Sequence, residues 1–157
     1  IKSIEDYLPI LDYLQDKKNS ILKDEIERFA VSFTFNEIYI DVLHKFYHLL
    51  KEERIGLICP KTRMVDFYKI FLNVPKEIIH NPIIWLGSQS DLIRVFDKLI
   101  QKGVIHQPKN FAKALYICFF DHKGTKFSYS FKKAIEKNKD RLTSKNQKKI
   151  EEVFDLF

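Results

Sequence analysis

The stretch that most constrains the fold is residues 83–105, IIWLGSQSDLIRVFDKLIQKGVI, which holds the only Trp and two of the four Gly in the chain. Ile83, Ile84 and Trp85 follow Pro82 and stop at Gly87, and β-branched and aromatic side chains in such a bracket predict a short, half-buried strand. A helix is predicted immediately after it. Ser88 or Ser90 can accept a hydrogen bond from an orphan first-turn amide, and Asp91 places negative charge where the helix dipole favours it. Leu92, Ile93, Phe96, Leu99 and Ile100 recur at helical spacing, with Arg94, Asp97, Lys98 and Gln101 on the opposite face. Gly103 reads as a left-handed C-cap, and Val104 and Ile105 as an extended pair returning beside the strand at Trp85.

The rest of the chain reads as helices of similar kind. Helices are predicted over 3–15, with a kink or later start at Pro9, over 20–30, 36–53, 61–73, 109–120 and 129–139, and over 144–155 behind a cap at Thr143 or Ser144. Pro75 and Pro82 bracket a short helical turn. In helix 36–53 the residues Ile38, Tyr39, Val42, Leu43, Phe46, Leu49 and Leu50 nearly surround the axis, which predicts a central position in the core. Residues 31–35 carry apolar side chains at every second position after a helical run, so their state is ambiguous.

With 157 residues, 45% of them hydrophobic, the chain is long enough to bury a core. No run approaches the roughly 18–20 apolar residues that span a bilayer, and Glu5, Asp6, Asp12 and Asp16 are wrong for a signal peptide, so a cytoplasmic protein without membrane contact is expected. Cys59 and Cys118 then read as free, buried thiols.

Enzyme signatures are missing. The sequence has no phosphate-cradling glycine loop, nucleophile elbow or CxxC, and neither a catalytic residue nor a cofactor is assigned. His44 and His48 stand one helical turn apart, but a zinc protease needs a glutamate after the first histidine and a third ligand; partly exposed helix histidines are expected, and no metal site.

Charge carries the clearest functional signal. Residues 1–100 hold 14 Lys+Arg against 15 Asp+Glu, and residues 101–157 hold 13 against 6. Residues 123–149 alone contain ten basic side chains and two acidic ones, a field that attracts polyanions. Phosphate contacts from Lys126, Tyr129, Lys132, Lys133, Lys137, Lys139 and Arg141 are therefore expected, the helix at 129–139 turning Tyr129, Lys132, Lys133 and Lys137 away from Phe131 and Ile135. Trp85 and most Phe residues are assigned to the core.

Trp85-x-Gly87-Ser88, followed by Leu92, Leu99 and Gly103-Val104, resembles the start of the C-terminal domain of the RteC family, regulators encoded on Bacteroides conjugative transposons. In that family a Trp-x-Gly-Ser strand end leads into a helix of the same length, within a winged-helix-like DNA-binding domain that carries a basic helix with a Lys-Phe element near its end. Lys126-Phe127 with Lys132, Lys133 and Ala134 fall where that element would lie. The family's Tyr-Tyr-Arg stretch is replaced here by the turn at 121–125, and the likeness covers residues 83–140.

The resulting expectation is a mainly α-helical protein, with a helical N-terminal lobe (1–80) and a basic, winged-helix-like C-terminal lobe (81–157) carrying two or three short strands near 83–86 and 104–107, as two lobes or one packed domain. Its expected function is that of a non-enzymatic, DNA-binding regulator of a mobile element in the bacterial cytoplasm. The competing readings are a helical protein-interaction module whose basic tail meets an acidic partner, and a metal-dependent nuclease.

Overall fold

The computed structural model describes residues 30–137 and 146–155. Among them the protein is mainly helical. Six α-helices follow in chain order: α1 (Ile40–Lys51), α2 (Met64–Lys69), α3 (Gln89–Gln101), α4 (Phe111–Cys118), α5 (Phe131–Lys137) and α6 (Gln147–Phe154). Two strands, β1 (Ile83–Ile84) and β2 (Phe119–Phe120), pair in parallel, Ile83 opposite Phe119 and Ile84 opposite Phe120.

The β1–α3 unit forms as its sequence dictates. Ser88 Oγ accepts from the Asp91 amide at 3.1 Å while Asp91 Oδ2 accepts from the Ser88 amide at 3.2 Å, a reciprocal capping box that satisfies two orphan donors. Trp85, with 0% of its surface exposed, donates its indole N–H to the Ser88 carbonyl at 2.9 Å, which ties the strand end to the helix start. Gly87 lets this close approach happen, because a Cβ there would lie 2.9 Å from Trp85 Nε1 and 3.0 Å from Leu57 Cδ2. Gly103, at φ 74°, takes the left-handed position after the helix.

The return of the chain differs from expectation. Val104 and Ile105 do not lie beside Trp85; Ile105 pairs with Phe35, and the Asn36 amide donates to the Val104 carbonyl at 2.8 Å. Geometry explains this, since a helix the length of α3 carries the chain about 20 Å from the end of β1. A second helix, α4, is needed to bring it back. The segment expected to extend that helix to residue 120 instead becomes β2, where the Phe120 carbonyl accepts from the Trp85 amide at 2.9 Å. On its other side β1 meets residues 57–59 in an antiparallel bridge between Ile58 and Trp85, so β1 is the middle of three extended segments.

Tertiary pairing also shortens the helix expected over 61–73. The turn at its start is fixed by Thr62 Oγ1 donating to the Cys59 carbonyl, and residues 70–74 pair with the ambiguous stretch 31–35, which is extended: Phe33 N donates to Ile70 O at 2.8 Å and Asn73 N to Phe33 O at 2.7 Å. Asn73 turns the chain there at φ 52°. The helix expected from 36 begins as a 3-10 turn, Glu37–Tyr39, capped by Asn36, and this turn leaves Ile38 exposed rather than in the core. A second 3-10 turn, Lys76–Ile78, falls between Pro75 and Pro82 as predicted. The helix expected at 3–15, all but the last residue of the one expected at 20–30, and the caps at Thr143 or Ser144 lie outside the described residues; Ala30 itself is extended and pairs with Pro75. At the start of α6 the Asn146 side chain makes no cap bond and donates to Asp91 Oδ2 instead, at 2.8 Å.

One buried cluster runs from Phe33 to Phe154. Phe33, Phe71, Phe96 and Phe119 form its aromatic centre, with Phe33 and Phe96 centroids 4.7 Å apart and Phe96 and Phe119 5.1 Å apart. Burial of side chains this large is the main favourable term holding the elements together. α6 packs on both α1 and α3; an Arg54–Glu152 ion pair ties it to the turn after α1, and an Arg94–Gln147 hydrogen bond ties it to α3.

Candidate nucleic-acid interface

α5 rests on α3 and α4 through Phe131 and Ala134, both buried, and Phe131 meets Phe127 at a centroid distance of 5.1 Å. Anchoring this apolar side leaves Lys132, Lys133, Glu136 and Lys137 exposed. Tyr129 lies just before the helix rather than on it. The reason is local, because Ser130 acts as the cap: its Oγ accepts from the Lys133 amide at 3.3 Å and its carbonyl from the Ala134 amide at 2.9 Å. The Tyr129 carbonyl accepts from Gln89 Nε2 at 2.8 Å, fixing the backbone, while 47% of the residue stays exposed.

Lys126 is placed by the turn before it. Asp121 Oδ1 accepts from the amides of Lys123 and Thr125, the Asp121 amide donates to the Thr125 carbonyl at 2.7 Å, and Gly124 takes φ 77°. Burial alone would push the Asp121 carboxyl up; the bonds from Thr125 and Lys123, with His122 nearby, outweigh it and hold the group below its ordinary value. Beyond this turn Lys126 Nζ sits 4.2 Å from the centroid of the Tyr116 ring, on α4. Tyr116 is 41% exposed, and Lys113, one turn earlier on α4, is exposed as well.

The structure therefore brings Lys126 to an aromatic partner that the charge pattern did not reveal. A signal was present, since Lys113 and Tyr116 fall outside the apolar positions Phe111, Ala114, Leu115 and Cys118 of the same helix. Among the described residues none of Lys126, Lys132, Lys133 and Lys137 takes part in an ion pair, the three ion pairs being Arg54–Glu52, Arg54–Glu152 and Arg63–Asp66. Lys139 and Arg141 lie outside the described residues. Unneutralised ammonium groups beside exposed aromatic rings can meet phosphates and stack on bases or sugars.

The two histidines differ in their surroundings, His48 being exposed. His44 is buried at 8% exposure rather than partly exposed, because α1 is packed on most of its circumference, and its Nδ1 lies 3.3 Å from Tyr68 Oη. The His44 and His48 rings are 4.5 Å apart, and burial lowers the pKa of both, reinforced by His48 in one case and Lys51 in the other. Among the described residues no group of three His, Cys, Asp or Glu side chains is placed to hold a metal ion. Cys59 and Cys118 are both free thiols; Cys59 is half-buried, and complete burial pushes the Cys118 thiol far up, so it stays protonated and unreactive. No described helix is long and apolar enough to cross a membrane.

Neither a family model, nor a curated protein, nor a solved structure matches the chain.

Proposed function

We propose that the chain is a cytoplasmic DNA-binding regulator of a mobile element, acting without cofactor, which contacts phosphates through Lys126, Tyr129, Lys132, Lys133 and Lys137 and onward through Lys139 and Arg141. The observation that carries this reading is the set of exposed lysines around α5, none of them in an ion pair among the described residues. Lysines of this kind supply affinity without sequence reading, because an ammonium is a point charge and lacks the bidentate fork of arginine. The regulator part draws on the likeness to RteC proteins in Trp85, Gly87, Ser88, Leu92, Leu99, Gly103 and Val104.

A winged-helix-like arrangement of residues 81–157 belongs to the same proposal, supported by α5 packing on both α3 and α4. The β1–β2 pair is parallel, unlike the antiparallel hairpin of a wing, and the Asp121–Thr125 turn stands ahead of α5 instead.

Purification of the untagged protein at low salt tests the reading. Nucleic acid is expected to travel with it and to be stripped by high salt. A stoichiometric acidic protein in its place would mark the chain as a protein-interaction module.

A further inference from the structure

At the start of α4 a cleft of about 570 Å³ opens between the extended segment 30–34, Asn73 and the loop that runs from His106 into α4. Its size falls within the range of small-ligand pockets. Its described lining is one-sided in charge: Lys109 and Lys113 contribute ammonium groups, Thr34, Asn73, His106, Gln107 and Asn110 contribute polar groups, and no carboxylate takes part among the described residues.

The framework of the cleft is held without using up these groups. Ser32 Oγ accepts from the Val74 amide at 2.8 Å, His106 N donates to Thr34 O at 2.8 Å, and Asn110 Oδ1 accepts from the Lys113 amide at 3.0 Å. Backbone and capping bonds thus fix the walls, while the ammonium groups of Lys109 and Lys113 enter no ion pair among the described residues. Two lysines gathered at a concave surface, with no carboxylate among its described residues, raise the local concentration of anions, and a multiply charged oxyanion gains most from such a field.

We propose that this cleft binds a phosphate group. Lys109 and Lys113 supply the charge, and the His106 imidazole and the Asn110 side-chain amide supply hydrogen bonds. Lys113 also belongs to the exposed face of α4 that carries Tyr116 one turn later, so the phosphate can come from a nucleic-acid backbone passing over α4 or from a free phosphorylated ligand.

The test uses the full chain and its Lys109→Glu/Lys113→Glu variant, whose sites are exposed and whose thermal transition should match wild type. Inorganic phosphate is titrated at constant ionic strength while backbone amides are followed by NMR. Saturable shifts confined to His106, Lys109, Asn110 and Lys113, absent in the variant, are the expected result. No saturable shift there, or equal shifts at lysines all over the surface, overturns the proposal. Given those shifts, a titration with duplex DNA identifies the source. A variant with weakened duplex binding and a log–log salt slope lowered by about 2 points to backbone phosphate. Unchanged duplex binding, or a wild-type protein that binds no duplex, assigns the site to a free phosphorylated ligand whatever becomes of the DNA-binding reading.

Discussion

The β1–α3 unit and the α4–α5 face belong to one packed molecule, yet they spend their side chains in opposite ways. In the first, nearly every polar group near Trp85 has a partner within the chain: indole to Ser88 carbonyl, Ser88 to Asp91, Asp91 to Asn146. In the second, polar groups hold the backbone at Asp121 and Ser130, and the lysines stay exposed, Lys126 over the Tyr116 ring and the others on α5. Groups satisfied internally stabilise the fold, whereas a concentrated charge without an internal partner costs some self-repulsion and is available to a ligand. Stability and binding should therefore respond to different substitutions.

The largest expected effect on stability is at Trp85. Trp85→Ala should cost about 3–5 kcal/mol, a large share of a typical domain's total, through lost burial and the cavity it leaves. Urea unfolding followed by circular dichroism measures it, and a loss below about 1 kcal/mol would break the contrast between the regions. Next comes the face. Lys132→Glu/Lys133→Glu should weaken duplex binding about a hundredfold with the unfolding midpoint nearly unchanged, and equal affinities in an anisotropy titration would sink the assignment of α5.

Gly87→Ala brings a methyl group within 2.9 Å of the Trp85 indole nitrogen, and should destabilise by about 1–3 kcal/mol while leaving the salt slope of binding intact. The smallest effect is one of pH. Burial holds the His44 and His48 pKa values below 6.5, so the unfolded chain takes up protons that the folded protein refuses. Stability should be complete above pH 6.5 and decline as pH falls through the lowered folded values, both in wild type and in the α5 charge-reversal variant. A melting temperature flat across mildly acid pH would contradict this.

Much of the first region was legible in the sequence because its signals are local. Ser88, Asp91 and Gly103 fix a cap and a stop within a few residues, and the apolar period of α3 fixes which face is buried. What was not legible depends on distant partners. The return of Val104 and Ile105 toward Trp85 looked natural along the chain, but the length of α3 carries them to Phe35. Phe119 and Phe120 suit a helix or a strand equally, and the unpaired side of β1 decides for the strand. Residues 70–74 leave their helix because 31–35 offers them backbone partners.

The candidate face shows the same division. The excess of lysine over carboxylate in residues 123–149 is plain from composition, as is the apolar side of α5. Tyr129's position ahead of the helix hangs on the Ser130 cap, and the meeting of Lys126 with Tyr116 joins two elements whose contact no local pattern encodes. The lysine pair at 109 and 113 escaped notice because it lies outside the charge-rich stretch, and only the fold sets it in a cleft.

Fluorescence anisotropy of a labelled random duplex of about 30 base pairs, titrated with the protein at two salt concentrations, tests the central claim most directly. If Lys126, Lys132, Lys133 and Lys137 each neutralise one phosphate, saturable binding at low salt should weaken with a log–log slope of roughly −3.6 or steeper. No binding at low salt, or binding indifferent to salt, would contradict the account and turn attention to a protein partner.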